Sequence, residues 1–299
     1  EFLPPLMFIA LIIFLLKGYP IAFSLAATGL LFSLIGISIG QLDFALLGAL
    51  SDRFFGIISN ETLLAIPFFT LMGLILERTG MAEDLLNTMG QLFGKMRGGL
   101  AYSVIFVGTM LAATTGIVSA SVIAMGLISL PIMLRYGYSK RIASGVIAAS
   151  GTLAQIVPPS LVLIVLGDQL GVSIGSMYKA ALIPSVLLIG AYILFILVIT
   201  IIKPAAMPAI PEHERTLHGM ALFKKVITSV IPPVTLIFLV LGTVFMGMAT
   251  PTEAGAIGAV GAMILALLRK ALTKDLLTQA LDQSVKITTF VVFIMIGSM

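Results

Sequence analysis

The chain has 299 residues, of which 59% are hydrophobic and only 10% are charged, with a formal net charge of +4. A soluble domain has about 45–50% apolar and about 25% charged residues, so this surface is too apolar to face water alone. The composition therefore excludes a cytoplasmic enzyme, a nucleic-acid binder and a disordered chain. The chain has no cysteine, so a thiolate metal site is excluded. Its two histidines lie together in one polar stretch, which leaves none for a metal site inside the membrane. It predicts an all-α polytopic membrane protein.

The predicted elements follow from apolar stretches that approach the ~20 residues a membrane-spanning helix needs. Two further segments, residues 43–58 and Met81–Phe93, are amphipathic and are predicted to lie in the membrane interface. A polar linker over residues 203–225, with prolines, both histidines and six charges, divides the chain into two halves. The predicted spans are residues 2–16, 21–39, 62–76, 140–167, 178–202, 226–248, 252–268 and a last segment from Ile287.

Residues 99–134 are too long for one span and are interrupted by a Thr/Gly/Ser stretch at 114–119. The arms 99–113 and 120–134 would each be about 22 Å long, which is short of a full crossing. Basic residues flank both outer ends of this segment. The pattern predicts a re-entrant helical hairpin with both ends on the cytoplasmic side.

The distribution of positive charge predicts the topology. When the chain is traced outward from the hairpin, every Lys and Arg except Arg53 and Lys179 falls on the cytoplasmic side. The N-terminus is then on the outer side of the membrane.

Two similar turns indicate an inverted repeat. Gly18-Tyr19-Pro20 precedes one predicted span and Ala249-Thr250-Pro251 precedes another, and the topology places the two turns on opposite sides. Inverted repeats with broken helices are typical of secondary transporters, which bind substrate and ion at the repeat interface. A second hairpin would fall beyond residue 299, so we expect the second repeat to be truncated here.

The two breaks are the candidate binding elements, because an interrupted membrane helix is tolerated only where it lines a cavity or is packed in protein. The oxygens at 114–119 suit a hard cation such as Na⁺, and a helix N-terminus there attracts a carboxylate. The alternative is a helix-packing contact with a kink. At the second break Pro158 and Pro159 remove two donors and free carbonyls one turn earlier, while Gln155 could bind substrate. Its alternative is a proline-kinked structural helix.

Glu253 is the only acid inside a predicted span, and an acid in the membrane is costly and usually has a functional role. Its position three residues after Thr250, with Pro251 between them, matches a helix capping box, which is the favoured interpretation. Sodium coupling through neutral oxygens therefore fits the spans better than proton coupling through carboxylates.

The motifs together resemble the large membrane subunit of the tripartite ATP-independent periplasmic (TRAP) transporters, the DctM-like family. The matches run in order along nearly the whole chain. They are GYPIAF at 18–23, LAIPFF at 64–69, KMRGGLA at 95–101, TG at 115–116, GY at 137–138, IVPPS at 156–160 and TPTEA at 250–254.

The resemblance implies a sodium-driven, elevator-type importer in a bacterial inner membrane, with Na⁺ as coupling ion and no organic cofactor. It implies three partners besides lipid: a small membrane subunit, a periplasmic substrate-binding protein and an organic-acid anion. It implies scaffold helices and an interfacial arm in residues 1–98 and a transport-domain hairpin and broken helix in 99–170. A connecting span and linker would fill 171–225, and residues 226–299 would begin the second repeat.

The candidate site residues follow the match to the family's sodium and substrate region. Many family members have Ser-Gly-Ser where this chain has Thr115-Gly116-Ile117, and the tip looks closer to the branch for 2-oxo acids and related monocarboxylates. The resemblance implies that Na⁺ is held, largely by backbone oxygens, at Thr114, Thr115, Gly116, Gly151, Pro158 and Ser160, and substrate at Ser119, Ser121, Thr152 and Gln155.

Three other functions are weighed against this one. A carrier of the wider ion-transporter superfamily would move anions or dicarboxylates without a binding protein. An intramembrane enzyme would need a nucleophile with a base or a metal cluster, which the predicted spans do not offer. A purely structural subunit is disfavoured by broken helices at mid-span.

Overall fold

The computed structural model describes residues 2–115 and 118–299, without the side chains of Thr115, Ser119 and Ala120. The regular structure of these residues is helical, in agreement with the predicted fold class. The helices are α1 (Leu3–Leu16), α2 (Ile21–Ser38), α3 (Ala45–Gly48), α4 (Leu50–Ile58), α5 (Ala65–Arg78), α6 (Met81–Phe93), α7 (Gly99–Thr115), α8 (Val118–Arg135), α9 (Lys140–Thr152), α10 (Leu161–Leu170), α11 (Ile174–Ile202), α12 (Gly219–Phe245), α13 (Pro251–Leu268) and α14 (Lys274–Gly297).

Five of the described helices are long and apolar enough to cross a membrane, or six if a bent pair between Ala45 and Arg78 is one span. This confirms a polytopic helical membrane protein. The hydropathy pattern misplaces several helix starts, because it detects the apolar centre of a span and not its polar first turns. Thus α12 begins at Gly219, inside the predicted linker, and α14 begins at Lys274 and not near Ile287.

The chain forms two compact units. Residues up to Glu61 together with Val285–Met299 form the first, and Thr62–Ser284 form the second. Within the first unit, the rings of Phe23 and Phe293 meet edge to face with centroids 5.3 Å apart. The two amphipathic segments also form helices as expected, the first divided into α3 and α4 and the second forming α6.

In the second unit α13 packs against α5 through small residues. A Cβ atom built on Gly255 would lie 3.0 Å from Phe68 Cβ, and one on Gly258 would lie 2.6 Å from Met72 Sδ. Small residues allow such close approach where lipid provides no hydrophobic drive for helix association. Ala254, Ala259, Ala262 and Ala266 continue this buried face of α13.

The helices α7 and α8 fold back on each other as the predicted hairpin. Their outer ends are bound by consecutive residues of the linker, since Gly98 N–H donates to the Met207 carbonyl and Ser139 N–H to the Ala206 carbonyl, each at 3.0 Å. Both arms also pack on α9. A Cβ on Gly108 of α7 would lie 2.6 Å from Ser150 Cβ. The arms, Gly99–Thr115 and Val118–Arg135, are longer than the predicted 15-residue arms.

The predicted break in the fourth span, residues 140–167, is present. The helix α9 ends at Thr152, a single 3-10 turn covers Leu153–Gln155, and α10 begins only at Leu161. Because Pro158 and Pro159 lack N–H groups, the helical hydrogen-bond ladder cannot continue through this segment.

Candidate functional site

The hairpin tip and the break in the fourth span meet in one small apolar cluster. Ala112 and Ala113, at the end of α7, are buried together with Leu153, Ala154 and Val157 of the break, and Val118 of α8 packs against the group. The two interrupted segments that the sequence singled out, more than 30 residues apart along the chain, therefore lie side by side.

Two hydroxyl groups close in sequence to this cluster are buried and oriented by carbonyls of their own segments. Thr114 Oγ1 donates to the Leu111 carbonyl at 2.9 Å, and Ser160 Oγ donates to the Gln155 carbonyl at 2.7 Å. Thr114 is 4% exposed and Ser160 is fully buried. A hydroxyl that gives its proton to a carbonyl keeps its oxygen lone pairs for another ligand. Both groups therefore fit a hard cation, which prefers oxygen ligands.

Carbonyl groups of the break form a second set of oxygens. The carbonyls of Ala154 and Gln155 would be paired by residues 158 and 159 in a continuous helix, but both of these are prolines. Ser160 supplies the donor for one of them. This donor set of neutral oxygens is the kind that suits Na⁺. Within residues 2–115 and 118–299, no group of three or more His, Asp or Glu side chains is placed to hold a metal ion.

The remaining candidate residues differ in their surroundings. Thr152 and Gln155 are exposed, and Thr152 Oγ1 donates to the Ala149 carbonyl at 2.7 Å. Ser121 on α8 is 1% exposed. A Cβ on Gly151 would lie 2.3 Å from Val122 Cγ2, so Gly151 is the contact at which α9 packs on α8. Gly116 lies outside the described residues, as do the side chains of Thr115 and Ser119.

Ser185 on α11 belongs to the site but was not identified from the sequence. Its hydroxyl lies 3.1 Å from the Ile156 carbonyl at the break and 2.7 Å from the Ala181 carbonyl on its own helix. Ser185 is 3% exposed. A polar residue directly after Pro184 in an otherwise apolar span was the available signal. Ser185 thus links α11 to the interrupted segment.

Two acids in or next to the predicted spans, Glu253 and Glu77, play different parts. Glu253 forms the predicted capping box, because Thr250 N–H donates to Glu253 Oε2 at 2.8 Å and Glu253 N–H donates to Thr250 Oγ1 at 3.3 Å. Glu77 falls just outside the predicted span 62–76, but the observed α5 includes it. Its Oε2 is buried without a hydrogen-bond partner among the described residues. Glu253 is therefore not the only acid in an apolar helix.

A charged cluster lies away from the break, where α6 contacts α12 and the end of α13. Asp84 receives Lys225 Nζ at 2.5 Å, Ser229 Oγ at 2.8 Å and Arg269 at 3.3 Å. Burial alone would raise the pKa of Asp84, but the hydrogen bonds from Lys225 and Ser229 and the nearby Arg269 charge hold it below its ordinary value. The cluster joins three helices through one ionised carboxylate.

Comparison with known proteins agrees with this architecture. A family model described as the DctM component of the tripartite ATP-independent periplasmic transporters matches residues 8–299. The C4-dicarboxylate TRAP transporter large permease protein DctM of Vibrio cholerae is 34% identical over 261 residues, which are 87% of this chain and 55% of that protein. The sialic acid TRAP transporter large permease protein SiaM of the same species is 30% identical over 284 residues, 95% of this chain and 64% of that protein.

A third relative, the ectoine TRAP transporter large permease protein TeaC of Halomonas elongata, is 27% identical over 287 residues, 95% of this chain and 64% of that protein. The chain thus spans less than two thirds of the length of these curated relatives. The family match covers nearly the whole chain, five or six of the described helices are long and apolar enough to cross a membrane, and the two interrupted segments meet. The chain belongs to the DctM component family of the tripartite ATP-independent periplasmic transporters.

Proposed function

We propose that this chain acts in the large permease subunit of a secondary transporter that imports an organic-acid anion together with Na⁺. One observation carries the proposal: the hairpin tip and the break in the fourth span meet, and each segment carries buried neutral oxygens. Thr114 and Ser160 are buried with their protons given to carbonyls, which leaves oxygen lone pairs free for a cation. The Na⁺ would be held by these hydroxyls and by carbonyls of the break, including those of Gly151 and Pro158.

The substrate is proposed to be a carboxylate bound next to the cation. Relatives are named for C4-dicarboxylates, sialic acid and ectoine, and each of these compounds carries a carboxylate group. A carboxylate is attracted by the N-terminus of a helix such as α8 or α10. The exposed side-chain amide of Gln155 would donate a hydrogen bond to it, and Thr152 would do so only by turning its hydroxyl away from the Ala149 carbonyl. The branch that transports 2-oxo acids and monocarboxylates stays a prediction.

An elevator mechanism is supported by the close packing of the hairpin on α9, because a transport domain must move as one body. We further propose a bacterial inner-membrane location with the N-terminus in the periplasm, a small membrane subunit as partner, and substrate delivery by a periplasmic binding protein. The positive-inside distribution of Lys and Arg supports the orientation.

The test is uptake of radiolabelled organic acids into proteoliposomes that hold the complete permease and its small subunit. Uptake is measured with and without an inward Na⁺ gradient, with and without the binding protein, and with an imposed pH gradient. The proposal expects uptake only with Na⁺ and the binding protein together. Uptake with Na⁺ alone would favour the carrier that needs no binding protein. Uptake driven by the pH gradient would refute sodium coupling and would make Glu77 the candidate proton-binding residue.

A matched pair of variants tests the cation site. Thr114→Val removes the hydroxyl at the meeting point, whereas Thr109→Val removes one that makes the same kind of bond within α7, from Oγ1 to the Ile105 carbonyl at 2.7 Å. We expect the Na⁺ concentration for half-maximal uptake to rise at least about fivefold for Thr114→Val, equivalent to about 1 kcal/mol in Na⁺ binding. It should be unchanged for Thr109→Val. Equal effects of both variants would show that Thr114 is not part of the cation site.

A further inference from the structure

The linker between α11 and α12 is built into the core and is not a solvated connection. Met207 is fully buried and Ile210 is 6% exposed. Both belong to the cluster that contains Leu100 of α7 together with Met133 and Tyr138 at the end of α8. Burial of two apolar side chains fixes this segment on the hairpin.

Backbone hydrogen bonds place the linker across both outer ends of the hairpin. On the α7 side, Gly98 N–H donates to the Met207 carbonyl at 3.0 Å and Ile210 N–H donates to the Gly94 carbonyl at 2.9 Å. On the α8 side, Ser139 N–H donates to the Ala206 carbonyl at 3.0 Å. Adjacent linker residues therefore bind the beginning of one arm and the end of the other.

Glu214 adds further hydrogen bonds from the linker, to the end of α8 through its side chain and to α6 through its backbone carbonyl. Its carboxylate accepts Arg135 at 3.0 Å through Oε1 and the Tyr136 hydroxyl at 2.6 Å through Oε2. Its carbonyl accepts Gln91 Nε2 of α6 at 3.2 Å. The Tyr136 hydrogen bond and the Arg135 charge hold the pKa of Glu214 below its ordinary value, so the carboxylate is ionised at neutral pH.

We propose that residues 204–214 form a clamp that holds the two arms of the hairpin in one relative position, and that Glu214 is a positioning residue for the hairpin tip. The arms α7 and α8 are joined covalently only at the tip, so the relative position of their outer ends depends on packing and on these linker contacts. Sliding of one arm along the other would change the distance between Thr114 and the break, where the ion is proposed to bind. The clamp then moves with the hairpin during transport.

This inference rests on the proposed function only for its consequence at the ion site, and its structural part has a separate test. Hydrogen–deuterium exchange is followed in the complete permease with its small subunit, in peptides covering residues 94–99 and 135–139. Glu214→Ala should raise exchange there at least about tenfold, because local opening becomes easier. The matched control is Glu212→Ala, two residues earlier in the same segment, where the carboxylate pairs with Arg215 and is 92% exposed. It should change exchange by less than about twofold.

A second experiment tests function by measuring the Na⁺ concentration for half-maximal uptake. We expect it to rise at least about threefold for Glu214→Ala, to rise less for Glu214→Gln, which keeps one acceptor oxygen for Tyr136, and to stay unchanged for Glu212→Ala. Unaltered exchange in Glu214→Ala would overturn the clamp. Faster exchange with an unaltered Na⁺ requirement would overturn the positioning role. If the wild-type permease shows no Na⁺ dependence, the proposed function fails while the exchange result still decides the clamp.

A cross-link tests whether the clamp and the hairpin move together. Ser139→Cys and Ala206→Cys introduce a thiol pair into a chain without cysteine, at residues joined by a backbone hydrogen bond. A short bismaleimide joins them, the yield is read from the protein mass, and each single-cysteine variant treated in the same way is the control. Uptake should be retained after complete cross-linking. Loss of uptake in the cross-linked pair alone would show that the two parts must separate, and would overturn the proposal.

Discussion

Gly151→Ala tests the contact that brings the hairpin against the broken helix. The added Cβ would lie 2.3 Å from Val122 Cγ2 and also 3.0 Å from Val122 Cα and 3.1 Å from its backbone nitrogen. Ordinary contact between carbon atoms is about 3.5–4.0 Å. A rotation of Val122 can relieve the first distance but not the other two, so α8 and α9 must move apart by about half an ångström. Overpacking of this kind costs about 1–3 kcal/mol.

The matched control is Gly145→Ala, two turns earlier on α9, where nothing lies within 4 Å of the added atom. Alanine is preferred to glycine in a helix interior by about 1 kcal/mol, so this variant should be neutral or more stable. Thermal unfolding of the purified complete permease in detergent, followed by loss of its monodisperse elution peak, gives the apparent Tm of each variant. We expect a lower Tm for Gly151→Ala, no decrease for Gly145→Ala, and partial rescue by Val122→Ala in the double variant.

The reasoning fails if Gly151→Ala is as stable as Gly145→Ala. The Na⁺ requirement provides a second readout, because displacement of α8 from α9 also separates the hairpin tip from the break. A variant with normal Tm but a raised Na⁺ requirement would show that Gly151 affects the ion site without stabilising the packing of α8 on α9, and would contradict a packing role.

Two further predictions concern single polar contacts. Ser185→Ala leaves the Ile156 carbonyl without its partner on α11 and should cost about 1 kcal/mol, with faster hydrogen exchange at residues 156–160; unchanged exchange would contradict the contact. Asp84→Asn leaves Lys225 and Arg269 facing each other and should cost about 1 kcal/mol at low salt, since the cluster is partly exposed. Because the pKa of Asp84 is lowered, the wild-type stabilisation is present above its ordinary value of 3.8 and is lost as the pH falls through the lowered value, whereas an Asn variant shows no such step in unfolding temperature.

The sequence was sufficient where one short segment determines the structure. The capping box of Thr250 and Glu253 is a local pattern with its own hydrogen bonds, and it formed as predicted. The break around Pro158 and Pro159 was predictable because proline removes helical donors whatever its surroundings. The hairpin followed from the length of its apolar arms together with the basic residues at both ends.

The linker could not be predicted in the same way. Its prolines and charges indicate a solvated connection, yet Met207 and Ile210 are buried by helices that precede them in the chain. Two apolar residues three positions apart are too few to establish a helical or strand periodicity over a segment this short. Their burial is decided by the space left between the outer ends of α7 and α8, which only the tertiary structure reveals. The same applies to Ser185, whose partner carbonyl lies 29 residues earlier in the chain.

The contacts around the break explain how an interrupted helix can be stable in an apolar protein. Carbonyls that lose their helical donors must find others, and here Ser160 donates to the Gln155 carbonyl while the Ser185 proton is shared between the carbonyls of Ile156 and Ala181. Each hydroxyl has a single proton, and once it is donated the oxygen can only accept a hydrogen bond or coordinate a cation. A break stabilised by serine hydroxyls is therefore also a cluster of oxygens with spare lone pairs, which is the property that the proposed Na⁺ site requires.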